Sequence, residues 1–138
     1  MNNRPLASNS DIHKFAAFWL DIFQNSTDER DTFSMQNQMI ELGFDMDSGK
    51  AFESAYGLRA LHYYDELQHV IDRITDIQIL CSGIHSAYRR ITYWANEDLL
   101  DSENREWFIA ALSRLLQLTS YNHVQNNRHS FLIPEINP

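Results

Sequence analysis

The chain is poor in the residues that turn a backbone sharply, with four glycines and three prolines among 138 residues. A β-sandwich or barrel needs many turns, and turns draw on Gly and Pro. The scarcity points to helices joined by short polar loops. A single cysteine, Cys81, excludes an intrachain disulfide and suits a reducing compartment. No stretch approaches the roughly 18 uninterrupted apolar residues of a membrane-spanning helix. Met1 to Asn9 is polar and lacks the apolar run of a signal peptide. A soluble, cytoplasmic domain is therefore expected. Basic residues are also few: 11 Lys and Arg stand against 19 Asp and Glu, for a net charge of −8. That balance works against sequence-independent attraction to nucleic acid or to anionic membranes.

Apolar residues make up 43% of the chain, enough for a core in one domain of this length. From Asp11, the residues Ile12, Phe15, Phe18, Trp19, Ile22 and Phe23 recur at helical spacing, with Ser8 or Ser10 as N-cap. A second helix is expected over Glu29 to Leu42, ended by Gly43 in a left-handed conformation. Phe44 to Gly49 reads as a loop. A third helix, Gly49 to Arg73, would carry an inner stripe from Phe52 to Ile74, weakened at Gly57. Thr75-Asp76-Ile77-Gln78 matches a capping box and starts a fourth helix. Its stripe is Ile77, Leu80, Cys81, Ile84, Tyr88, Ile91 and Ala95. A turn at Asn96 to Leu100 precedes a fifth helix, ending near Tyr121, with Phe108, Ala111, Leu112 and Leu115 inward. Residues 1–9 and 122–138 read as extended or mobile ends. The expectation is an all-α, single-domain bundle of about five helices with a polar C-terminal tail.

Three groups of residues could carry chemistry. His62, Glu66 and His69 lie at i, i+4 and i+7, on one helical face, and this residue set can ligate a divalent transition metal. Di-metal bundles need a second Glu-x-x-His motif, and none is present. The same trio also fits a solvated outer face with Asp65, Asp72 and Arg73. The second group is His85, Arg89, Arg90, Tyr93 and Trp94. Arg forks bind carboxylate or phosphate, and aromatic planes stack on bases or guanidinium groups. Pairing of Arg89 and Arg90 with Glu97, Asp98 or Asp101 is the competing explanation. The third is Cys81 with His85 four residues on, a nucleophile–base pair in spacing alone. Asp45 to Gly49 begins like a calcium loop, but the twelfth position is Tyr56 where a bidentate Glu is needed. No phosphate loop, Gly-x-Ser-x-Gly or His-Glu-x-x-His pattern occurs.

The aromatic surplus of the first helix either fills the core or meets a partner. Size, acidity and that surplus favour a small protein-interaction or regulatory domain without catalysis, binding another protein or itself. The alternatives are a metal-binding bundle using His62, Glu66 and His69, and a phosphate- or nucleic-acid-binding regulator using Arg89 and Arg90. Neither a cofactor nor a nucleic-acid partner is expected in the first reading.

Overall fold

The computed structural model describes the backbone of residues 5–132 and the side chains of residues 5–120. Within them the chain is all-α, with no strand. The helices are α1 (Asn9–Asn25), α2 (Met35–Glu41), α3 (Lys50–Tyr56), α4 (Leu58–His62), α5 (Tyr64–Val70), α6 (Ile77–Arg89) and α7 (Ser102–Leu132). Two 3-10 turns, Glu29–Thr32 and Ile71–Arg73, and a π-helical turn, Arg90–Trp94, complete the described elements.

Local chemistry explains most boundaries. The Ser8 hydroxyl accepts from the Asp11 amide and opens α1. Gly43 (φ +83°) closes α2, donating to Ile40, while Phe44 donates to Met39; these two bonds form a Schellman motif. At α6 the cap is Asp76, which accepts from the Ile79 amide, and not the Thr75 hydroxyl of the expected box. Asp is as good a cap as Ser or Thr, so the start shifts by one residue.

The expected long helix from Gly49 to Arg73 is instead three short ones. Gly57, at φ 98° and ψ 149°, sits outside the range of ordinary side chains and ends α3. Tyr63 is extended, at φ −126° and ψ 133°, and separates α4 from α5. The two breaks fold the segment onto itself, so that Trp107 of α7 donates its indole N–H to the Ala60 carbonyl at 2.9 Å. The expected second helix likewise splits into a 3-10 turn and α2, leaving Phe33 62% exposed. At the other end α7 runs on to Leu132, past the expected stop at Tyr121. Asn122 to Phe131 is polar but holds no Gly or Pro, and polarity alone does not end a helix. Residues 133–138 of the expected tail, and 1–4 of the N-terminal segment, lie outside the described residues.

The core is built on α1, α6 and α7. Ile12, Phe15, Ala16, Trp19 and Phe23 of α1 are buried, chiefly against α7, where Phe23 stacks on Phe108 at 4.8 Å between centroids. Phe15 meets Phe44 edge-on at 4.9 Å. Arg105 fastens this pairing: its Nη1 donates to the carbonyls of Phe23 (2.6 Å) and Ser26 (3.0 Å), and its Nε to that of Leu100 (3.1 Å). The α6 helix is buried on most sides, from Leu80 to Tyr88 with only Ser86 partly open. Its Gly83 receives the ring of Phe52 from α3. Asp47 ties the same junction, accepting from the amides of Gly49 and Ala51 and from the Ser82 hydroxyl.

Candidate recognition groove

Arg89 ends α6 and Arg90 opens the π-helical turn. In that turn Ala95 donates to the Arg90 carbonyl at 2.8 Å, and Glu97 donates to Ile91 at 2.9 Å. A π turn inserts extra rotation into a helix, and such turns recur at functional positions. Here it shifts the register after Ile91. Ala95, expected on the inner stripe, becomes exposed, and Trp94 turns outward with 80% of its surface in solvent.

Between this turn and the α3–α4 segment lies a groove of about 420 Å³. Arg89, Arg90 and Trp94 form one wall, and Glu53, Leu58 and His62 form the other. Arg90 is half-buried. Its Nη2 makes a hydrogen bond to the His62 carbonyl at 3.3 Å, and its Nε is buried with no partner. Burial pushes the Arg90 guanidinium below its ordinary value, against the upward pull of Glu97, Tyr63 and Glu103. Arg89 is exposed, and its guanidinium lies over the Tyr93 ring at 5.3 Å from the centroid. Among the described residues neither arginine forms a salt bridge; those present join Arg30 to Asp28 and Arg59 to Glu66. The pairing with Glu97, Asp98 or Asp101 that would have neutralised the arginines is therefore not made. His62 is held below its ordinary value by burial and by Arg90, with Glu53 acting the other way.

The structure distributes the remaining candidates differently from their spacing. His62 closes α4, whereas Glu66 and His69 belong to α5, so the extended Tyr63 breaks the single face on which the metal trio depended. Glu66 pairs with Arg59 at 3.5 Å, and His69 is exposed. Among the described residues no group of three or more His, Cys, Asp or Glu side chains is placed to hold a metal ion. Cys81 is fully buried, and burial, with Asp76 adding to it, pushes its thiol well up. His85 is 3% exposed, with Nε2 unpartnered, and burial holds it below its ordinary value although Asp45 pulls it up. A protonated thiol beside an imidazole without a hydrogen bond to it is an inert pair.

The aromatic surplus of α1 goes inward, apart from Phe18, which is 53% exposed and edge-on to Trp19. By spacing alone His62 and Arg90 fall in separate clusters, and nothing in the spacing gives a role to Leu58, Ser86 or Glu53. Helical periodicity describes one helix at a time, and the groove is made by α4 meeting α6. Among the described residues no helix is long and apolar enough to cross a membrane. Compared with known proteins, the chain matches no family model, no curated protein and no solved structure.

Proposed function

We propose that this chain is a small protein-interaction domain and that the groove beside Trp94 is its recognition surface. The observation that carries the reading is the juxtaposition of an 80% exposed Trp94 with the Arg90 guanidinium, which forms no salt bridge and whose Nε is buried without a partner. Trp and Arg are over-represented among the residues that dominate binding energy at protein interfaces. A single Trp buries about 150–250 Å² when covered. Leu58, 48% exposed on the facing wall, extends the apolar surface. In this reading the domain works in the cytoplasm, where its one cysteine stays reduced, and its partner is another protein, with a second copy of the chain as the variant form.

The metal reading of His62, Glu66 and His69 receives no such support from the geometry. The anion-binding reading of Arg89 and Arg90 is absorbed into the groove as the polar half of a protein-binding surface.

The test is selection from a displayed library of random peptides, followed by measurement of each selected peptide against the Trp94→Ala variant. Peptides that bind the parent chain and lose at least about tenfold in affinity on Trp94→Ala support the reading. A library yielding no binder, or binders indifferent to Trp94→Ala, overturns it.

A further inference from the structure

We infer that the groove takes an acidic segment of a partner protein, with an Asp or Glu carboxylate seated between Arg89 and Arg90 and an apolar neighbour packed on Trp94 and Leu58. This rests on the interaction reading above and specifies its ligand.

The first ground is the state of Arg90. A guanidinium cannot lose its charge in a protein, so its partial burial costs free energy unless an anion or several acceptors compensate it. Compensation inside the chain is meagre: one hydrogen bond to a carbonyl at 3.3 Å and an orphaned, buried Nε. The nearest acids act on it only through space. Arg105 and Arg114 also lack a carboxylate, but each makes three hydrogen bonds; Arg90 makes one and buries an unpartnered Nε. Arg89 stands one residue away at the rim, steadied over Tyr93, and supplies a second fork.

The second ground is the rest of the molecule. The net charge of −8 repels an extended polyanion more strongly than a short segment carrying a single carboxylate. A short segment with one carboxylate can meet the two arginines, while Glu53 across the groove and Glu97 and Glu103 near Arg90 disfavour further negative charge. That favours an acidic peptide over nucleic acid. Glu53 on the opposite wall then sets direction, because it repels a second carboxylate there and favours a neutral or basic residue. The complementary pattern is an acidic residue at the arginine side, an apolar residue on Trp94, and no acid facing Glu53.

The experiment uses twelve-residue peptides in four series, identical except that the central residue, beside a fixed Leu, is Glu, Gln, Lys or phosphoserine. Binding is read by fluorescence anisotropy on the parent chain and on Arg90→Gln, Arg89→Gln and Trp94→Ala, each checked for helical content and melting temperature. The expected result is that the Glu series binds, that Glu to Gln in the peptide costs about tenfold or more, and that Arg90→Gln erases the difference between the two. Should Arg90→Gln fail to fold, Arg89→Gln carries the same comparison with a smaller loss. Equal binding of the Glu and Gln series, still sensitive to Trp94→Ala, overturns the carboxylate site and leaves the interaction reading standing. A preference for phosphoserine also overturns it, in favour of a phosphopeptide. Absence of binding in every series, or tighter binding of a 20-base-pair DNA duplex than of the Glu series, overturns both.

Discussion

Gly83 of α6 lies directly under the ring of Phe52 from α3: a Cβ at position 83 would stand 2.5 Å from Phe52 Cδ2. Both residues are buried, and the contact holds α3 against α6. The contact leaves no room for a methyl group. Gly83→Ala gains helix propensity, roughly 1 kcal/mol in isolation. Overpacking against the fully buried Phe52 ring costs roughly 1–3 kcal/mol, so the net effect is a loss. Urea unfolding should show a lower midpoint for Gly83→Ala with an unchanged slope, and Gly83→Ala combined with Phe52→Leu should recover part of it.

Acid should destabilise the fold in two stages. His85 and His62 are both held below 6.5, chiefly by burial, so the unfolded chain takes up protons before the folded one does. Stability is full above about pH 6.5 and falls as the pH drops from there through the folded values. His85→Gln should flatten part of that decline, with His62 supplying the remainder. Asp47 gives the second stage. Burial raises its carboxyl, but the Ser82 hydroxyl, the amides of Ala51 and Gly49, and Lys50 together outweigh that and hold it below 3.8. Its contribution is present above that pH and is lost as the pH falls below it. Thermal melts at 0.5-unit steps of pH, as about a dozen samples, would check both limbs.

Cys81 should ignore thiol reagents while the protein is folded. It is fully buried, and its thiol is kept protonated well above its ordinary range. Modification by an aromatic disulfide reagent should proceed only as fast as the chain opens, and should become immediate in denaturant. Rapid reaction in native buffer would place Cys81 at the surface.

Arg105→Ala should be among the more damaging substitutions of a partly exposed residue. It strips donors from three carbonyls, those of Phe23, Ser26 and Leu100, at the junction of α1 and α7. Each carbonyl left without a partner costs roughly 1–3 kcal/mol, less where water reaches it. A fall of several degrees in melting temperature is expected, and Arg105→Lys should recover little because an ammonium lacks the fork that spans these acceptors.

α1 and α6 were legible in the sequence because their apolar residues repeat at the helical period and one face of each is buried. The break at Gly57 was legible because glycine alone tolerates that backbone. The break at Tyr63 was not, since the extended preference of a single tyrosine is too weak to stand out within an apolar stripe at helical spacing. Ala95 was misplaced because a π turn changes the period without changing composition. Arg89, Arg90 and Trp94 were legible as one cluster at the end of α6 and in the turn that follows it. Their meeting with His62 and Leu58 was not, because that depends on how α4 folds back after two breaks the residues signal unequally.

The pairing of α1 with α7 has a bearing on synthesis. As the chain leaves the ribosome, the strip formed by Ile12, Phe15, Trp19 and Phe23 emerges well before its main cover, which begins at Ser102. At about 5–20 residues per second the strip stays open for on the order of ten seconds. A nascent chain in that condition shows a chaperone an aromatic surface that the finished protein hides. Closure of its long-range loop, not formation of any one helix, then sets the pace at which the newly made molecule becomes safe from aggregation.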